Sequence, residues 1–389
     1  MSDERTAQPD AAFHPRYVVW ELTLACDLAC RHCGSRAGKA RPDELSREEA
    51  LALVDRLAEM GTREITFIGG EAYLVPWWHD VVAAATARGI QCALTTGGRD
   101  FHPERAVDAR AAGLRAVSVS IDGLETTHDT LRAVPGSFKA AFRALAGAKS
   151  AGLVAFANTQ FNQLNLPELE TLAGLLEAAG ISSWQVQITG PMGRAADKPD
   201  WLLQPYQMLE LIPRLAAVAA RWKPKGIRIF SSNNLGYYGP YEQHLRQEHW
   251  KGCVAGKYVM GIESNGDIKG CPSLPSEPYV GGNIRENDIG SIWADAPALN
   301  FARDRLTTPQ ELGGYCKRCY YGPVCQGGCS WTSHTALGRR GDMPWCYHRA
   351  DMLRQEGVRE RIQRVENAPG APFDFGRYEI VVEEWKADS

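Results

Sequence analysis

The sequence predicts an α/β fold, a partial (β/α)6 barrel built on a parallel sheet and followed by a small cysteine-rich domain. Three observations carry that expectation. Apolar β-type runs alternate with amphipathic helical stretches from Tyr17 to about Phe230, several of those helical stretches end on a glycine just before the next run, and most of the eleven cysteines fall into two distant groups. A parallel neighbour needs a crossover connection, so such alternation means repeated βαβ units.

In order, the candidate strands are "YVVWELT" (17–23), "EITFI" (64–68), "CALTT" (92–96), "AVSVSI" (116–121), "VAFANTQ" (154–160) and "WQVQIT" (184–189). Ser46 with Glu49, and Asn165 with Glu168, fit a capping box, in which the side-chain oxygen takes an orphan helix N–H and the acid reaches back. Gly61, Gly113, Gly152 and Gly180 stand where a helix C-cap wants the left-handed conformation. The expected organisation is a disordered tail over 1–16, the barrel over 17–231, a linker over 232–252, the cysteine-rich domain over 253–349, and a C-terminal helix and tail over 350–389. "GRYEIVVEEW" (376–385) is a possible closing strand within that last part.

With 389 residues and 44% hydrophobic content, the chain can bury a substantial core. Net charge is -3 and no long basic run occurs, so neither nucleic acid nor an anionic membrane is an expected partner. "MSDERTAQPDAAFHP" lacks the basic-then-apolar pattern of a signal peptide, and no segment reaches the roughly 18 apolar residues of a membrane span. The expected location is the cytoplasm, where disulfides are rare, so the cysteines read as metal ligands or reactive groups. Cys92 stands outside both groups and reads as a small buried hydrophobe on the third strand. The alternative is a thiol hydrogen donor, as an epimerase would need.

"LTLACDLACRHCGSR" places Cys26, Cys30 and Cys33 in a C-x3-C-x2-C array directly after the first strand. That is the carboxyl end of the sheet, where barrels of this kind put their chemistry. A structural zinc site wants four protein ligands, usually as two C-x2-C pairs, and no fourth cysteine lies near. The array resembles that of the radical S-adenosylmethionine (SAM) superfamily, with His32 where the family usually has an aromatic residue. The resemblance implies a [4Fe-4S] cluster on three thiolates, with SAM chelating the open iron. It further implies reductive cleavage to methionine and a 5′-deoxyadenosyl radical that abstracts a substrate hydrogen, chemistry that belongs to the cofactor.

By the same resemblance, Gly69, Gly70 and Glu71 in "IGGEAYL" match the motif that receives the methionyl ammonium. Ser120, Asp122 and Arg132, in "VSIDG" and "HDTLR", match residues that hold the SAM carboxylate and ribose, and an arginine fork suits a carboxylate. Thr95 to Gly98, Asn158 and "ITGPMGRA" (188–195) occupy further strand-end positions near the cofactor. No residue is singled out as catalytic.

The second group runs Cys253, Gly266, Cys271, then Cys316-x2-Cys319-x5-Cys325-x3-Cys329, then Cys346. It resembles the SPASM domain of radical SAM peptide maturases, with "SNGDI" reading as a type I′ hairpin turn and "GGNIRENDIGSIW" (281–293) as the connector between the two cysteine sets. A zinc ribbon fits Cys316 and Cys319 alone, but seven cysteines do not divide into fours. The resemblance therefore implies a partial (β/α)6 TIM-like barrel plus a SPASM domain with two auxiliary clusters, three [4Fe-4S] clusters in all. Cys253, Cys271 and Cys329 would hold the first auxiliary cluster, and Cys316, Cys319, Cys325 and Cys346 the second. The first is one thiolate short, leaving a side chain such as His249, a substrate atom or water as the fourth ligand.

The implied partners are a ribosomally made peptide, modified by C–H abstraction and net oxidation of the cross-link type, and a reductant such as flavodoxin or ferredoxin. About sixteen residues precede the first strand, so leader recognition is expected from a separate leader-binding protein or another surface. Pro272 follows Cys271 where sulfatase-type maturases carry an acid, which argues against formylglycine formation. The alternatives are dehydrogenation or epimerisation of an aminocyclitol or sugar, and a non-catalytic electron-transfer module. "SSNNLGYYGPYEQHLRQEHW" (231–250), with Asn233, Asn234, Tyr237, Tyr238 and Tyr241, reads either as a substrate channel or as an interdomain linker.

Overall fold

The structure is a computed structural model that describes residues 13–232, 234–246, 250, 252–303 and 312–386. Seven parallel strands form the scaffold: β1 (Tyr17–Glu21), β2 (Glu64–Ile68), β3 (Gln91–Thr96), β4 (Ala116–Ser120), β5 (Val154–Phe161), β6 (Ser183–Ile188) and β7 (Arg228–Ser231). They lie in sequence order, each beside the next. Helices over 47–59, 78–87, 103–111, 137–150, 169–178 and 208–222 make the crossovers, giving six βα units and a terminal seventh strand. The six expected strands all form, with ends within two residues of expectation. The seventh, "RIFS", is too short to announce itself and forms on the free edge of β6.

Strand alternation separates two faces. Ile65, Phe67, Cys92, Leu94, Val117, Val119, Ala155, Ala157, Trp184 and Val186 lie beneath the helices in one continuous core. Cys92 is 1% exposed there, and burial pushes its thiol up to about 11. On the opposite face Ile68, Thr95, Ser118, Phe156, Asn158, Gln160 and Gln187 are half-buried, and Gln185 and Phe230 are exposed. Over β3 to β7 that second face is open and mostly amide and hydroxyl in character, whereas over β1 and β2 it carries the buried Val19, Glu21 and Thr66.

The domain boundary at 253 does not separate two sheets. β8 (Val259–Ile262) adds to the free edge of β1 in parallel, and β9 (Asp267–Lys269) and β10 (Val280–Asn283) continue the same sheet antiparallel. The order β10-β9-β8-β1-β2-β3-β4-β5-β6-β7 leaves β7 and β10 as its two edges, so the barrel stays open. A buried charge cluster ties this junction: Arg41 reaches Glu21 (3.3 Å) and Glu263 (2.7 Å), and Lys269 reaches Glu263 (2.6 Å). Burial pushes the Glu21 carboxyl up to about 7 despite Arg41.

Several expectations need correction. Residues 13–16 are docked: Trp293 Nε1 donates to the Phe13 carbonyl (2.8 Å) and Thr62 Oγ1 to that of Pro15 (2.9 Å). The rest of the expected tail, 1–12, lies outside the described residues. The C-terminal part is no tail, because the helix Tyr347–Gln355 leads into an antiparallel hairpin of β11 (Val358–Glu366) and β12 (Arg377–Glu384). The "SNGDI" turn is not type I′: Gly266 N–H donates to the Glu263 carbonyl (2.9 Å), Gly266 alone has positive φ (+93°) and Asn265 does not. This is a type I turn with its glycine in a bulge.

Ser46 and Glu49 do form a capping box. Ser46→Ala should cost about 1 kcal/mol, read as a lower melting temperature of the cluster-free chain, and an unchanged melt would remove the cap from the account. Asn165 and Glu168 do not form one. Glu168 instead accepts from Leu124 N–H (2.7 Å) and Thr127 Oγ1 (2.6 Å), while Asn165 Nδ2 donates to the carbonyls of Asp122 (3.1 Å) and Gln160 (2.9 Å).

The described part of the 231–250 segment packs as a joint. Asn234 is paired with the backbone of Ile188, Tyr237 stacks on Tyr321 at 4.2 Å, and the Arg246 guanidinium lies 3.8 Å from the Tyr238 ring centre. Asn233 and His249 lie outside the described residues.

Candidate active site and metal centres

Cys26, Cys30 and Cys33 occupy the loop that leaves β1, which three other segments hold in place. Gly70 N–H donates to the Thr23 carbonyl (2.7 Å) and Glu71 N–H to that of Ala25 (2.8 Å). A Cβ on Gly70 would overlap the Ala25 carbonyl and the Cys26 side chain, so these glycines let β2 approach the cysteine loop itself. From the far side, Arg194 Nε donates to the Cys30 carbonyl (2.6 Å) and Nη2 to that of Ala37 (3.0 Å). Gly193 (φ +58°) leaves no space for a Cβ against the Cys33 and Gly34 carbonyls.

The third brace is a buried ion network. Asp122 is fully buried at the end of β4. Its Oδ2 receives Arg132 Nη2 (2.5 Å) and lies 2.9 Å from His32 Nε2, and its Oδ1 accepts from Gln160 N–H (2.8 Å). Burial alone would raise its pKa, but Arg132 and His32 outweigh it and hold the carboxyl well below the usual range. Arg132 Nη1 donates to Cys30 Sγ (3.5 Å), and its Nε has no partner among the described residues. His32 thus ties the cysteine loop to β4.

Glu71 is 1% exposed and accepts from Thr96 Oγ1 (2.5 Å) and Gly97 N–H (2.6 Å). Burial pushes its carboxyl up to about 8. One Glu71 oxygen, one Asp27 oxygen and Cys26 Sγ lie within 4.8 Å of one another. A buried acid this poorly neutralised suits a cationic ligand. Burial, then the Glu71 charge, raises the Cys26 thiol, and burial raises that of Cys30. Such thiols favour the anion only when a metal replaces their protons.

The distal cysteines divide into two sets. Burial and then the Cys253 charge push Cys271 up to about 12 and Cys329 up to about 11, so these three are neighbours. Cys316, Cys319, Cys325 and Cys346 line a single void together with Tyr237 and Met343. Four convergent thiols and a three-thiol set match the donors of iron-sulfur clusters. Trp331 is half-buried and packs against two small apolar clusters, one of which also receives Cys26 and Cys33 and the other Cys253 and Cys271.

A radical SAM superfamily pattern matches residues 20–172, and a SPASM pattern, described as an iron-sulfur cluster-binding domain, matches 253–320. The chain is 30% identical over 369 residues to the mycofactocin maturase MftC of Mycobacterium ulcerans, covering 92% of this chain and 95% of that protein. The chain belongs to the radical SAM superfamily.

It is also 29% identical over 352 residues to the AdoMet-dependent heme synthase of Oleidesulfovibrio alaskensis, covering 85% of this chain and 87% of that protein. Among solved structures, native anSMEcpe with bound AdoMet aligns at TM-score 0.69 and 16% identity, over 86% of this chain and 95% of that one. Streptococcus suis SuiB bound to S-adenosylmethionine aligns at 0.66 and 16% identity, over 82% and 73%. At these identities the structural likeness shows the fold. As a radical SAM and SPASM protein, the chain is an enzyme of SAM and iron-sulfur clusters.

Within this radical SAM fold, Gly69, Gly70 and Glu71 flank the cysteine loop, and Arg132 reaches Cys30. Ser120 and Asn158 pair across β4 and β5 on the open face, where Asn158 Oδ1 accepts from Gln187 Nε2 (3.4 Å). Sequence reasoning missed Arg194, Trp331 and the contact of the C-terminal hairpin with this loop. "ITGPMGRA" was the available signal for Arg194; for the others no local pattern existed. No helix among the described residues is long and apolar enough to cross a membrane.

Proposed function

We propose that this radical SAM/SPASM enzyme abstracts hydrogen from a ribosomally made peptide and oxidises it, with a cross-link as the product. Cys26, Cys30 and Cys33 would hold the SAM-binding cluster, Cys253, Cys271 and Cys329 the first auxiliary cluster, and Cys316, Cys319, Cys325 and Cys346 the second. When bound, these groups supply a hydrogen-abstracting radical, using one electron from a flavodoxin- or ferredoxin-type reductant, and an acceptor for the substrate's second electron. Glu71 would take the methionyl ammonium, with the Gly69 and Gly70 backbone beside it, and Ser120, Arg132 and Asn158 would orient the rest of SAM. The unpartnered Arg132 Nε and the poorly neutralised Glu71 support those roles.

The observation that carries the peptide reading is the open face of the sheet. Over β3 to β7 its carboxyl half offers Thr95, Ser118, Ser120, Asn158, Gln160, Gln185 and Gln187, with Phe156 and Phe230 and no charged strand side chain, while the charges of Glu21 and Lys269 at the β1 and β9 side are paired with Arg41 and Glu263. Ser118 Oγ is buried without a partner among the described residues. Neutral donors and acceptors of this kind suit backbone amides, whereas a porphyrin bearing carboxylates would call for cationic side chains. The mycofactocin maturase likeness points the same way. Epimerisation lacks support, because Cys92, the one cysteine outside the cluster sets, lies beneath the helices.

The test is deuterium transfer. The anaerobically reconstituted enzyme, reduced and given SAM, is incubated with deuterated peptides encoded beside its gene or with a deuterated porphyrin. Deuterium in 5′-deoxyadenosine from a peptide is expected. Transfer from the porphyrin and from no peptide would overturn the reading. Iron should approach about twelve atoms per chain if all three sets hold cubanes.

A further inference from the structure

The hairpin of β11 and β12 is absent from both family patterns, yet its turn reaches the first cysteine loop. Phe373 is 7% exposed and joins Leu24, Ala37 and Met192 in an apolar cluster against which Cys26, Cys33 and Trp331 pack. The Lys269 ammonium lies 4.0 Å from its ring centre. Asp374 locks the turn: its Oδ1 accepts from Arg36 Nε (2.6 Å), three residues beyond Cys33, and its carbonyl accepts from Gly193 N–H (2.7 Å). Arg36 in turn grips Asp197 with both terminal nitrogens (2.7 and 2.9 Å).

Phe373 holds this place with left-handed backbone (φ +58°), which a bulky side chain adopts only when its surroundings over-determine it. The stem is anchored far from the turn: Arg349 forks onto Glu360 (2.6 and 2.9 Å), and Ile362 N–H donates to Gln204 Oε1 (2.9 Å). Much of β12 faces solvent, with Val382 59% exposed. The hairpin therefore contributes little core of its own and presents one buried aromatic to the cysteine loop.

We propose that the turn of the C-terminal hairpin, through Phe373 and Asp374, is a fixed wall of the Cys26, Cys30 and Cys33 site that keeps water and oxidants from it. Phe373 acts as a positioning residue and shield, and Asp374 sets its place through Arg36. The consequence for the enzyme rests on these cysteines holding the SAM-binding cluster; the wall itself does not.

The test separates the two. Phe373→Gly removes the ring while relieving the backbone, and Phe373→Leu keeps apolar bulk. In the cluster-free full chain, N-ethylmaleimide labelling followed by peptide mass spectrometry should show Cys26 and Cys33 reacting about tenfold faster in Phe373→Gly. Phe373→Leu should stay near wild type, and Cys316 and Cys319 should be unchanged in both. Unaltered rates at Cys26 and Cys33, or an equal rise at all four cysteines, would overturn the wall. In the reconstituted, reduced protein, the electron paramagnetic resonance signal that responds to SAM should decay faster in air in Phe373→Gly, with the other signals unaffected. A wild type with no SAM-responsive signal would sink the cluster reading and leave the labelling result standing.

Discussion

Cys26→Ala is expected to reduce 5′-deoxyadenosine release to background while lowering bound iron by only about a third, four atoms of twelve. The reason is spatial. Cys26 lies with Cys30, Cys33 and Glu71 at the carboxyl end of β1 and β2, whereas the seven distal cysteines form two sets of their own beyond Trp331. Two thiols cannot retain a cubane at the first site, and nothing in the distal sets depends on the lost sulfur. Iron quantification with product assay after anaerobic reconstitution measures both. SAM cleavage surviving in this variant would move the reactive cluster elsewhere, and loss of all iron would mean that the three sets do not assemble independently.

Asp122→Asn should destabilise the cluster-free chain by about 3–5 kcal/mol, the usual consequence of leaving a buried charge without its partner. The carboxylate is an acceptor on both oxygens: Oδ2 faces Arg132 and His32, and Oδ1 takes Gln160 N–H. An asparagine amide would turn its NH2 toward one of these donors in either orientation. Arg132 would keep its contact to Cys30 without a counter-charge, and His32 would release the cysteine loop. Urea titration of the cluster-free protein is the measurement.

The pH dependence has a definite sign. The folded carboxyl is held below its unfolded value of about 3.9, so its contribution is complete above that value and fades only as pH falls through the lower folded one. Asp122 itself therefore does not close the gap between wild type and variant anywhere from pH 8 to pH 5. A gap that closed by pH 5 would contradict the pairing.

The cluster chemistry was legible in one dimension because ligands within a loop are set by spacing along the chain. C-x3-C-x2-C after an apolar run needs nothing from elsewhere to declare three thiols at a strand end. Strand positions were legible for the same reason, since alternation and glycine C-caps are short-range. Where a pattern needs a partner, sequence reading divides. Ser46-x-x-Glu49 capped its own helix, whereas Asn165-x-x-Glu168, with the same spacing, was recruited by the start of another.

The amino-acid sequence alone marked out the cysteine sets proposed as cluster ligands and the parallel α/β sheet that presents the first of them, Cys26, Cys30 and Cys33, at its carboxyl end. Only the tertiary structure decided that His32, Asp122, Arg132 and Arg194 brace the cysteine loop, that β8 extends the barrel sheet, and that Phe373, more than three hundred residues away in sequence, joins the apolar cluster on which Cys26 and Cys33 pack. The physical reason is that thiol spacing and strand period act over a few bonds. Buried ion networks and apolar walls instead depend on which distant side chains the folded core brings within a few ångströms.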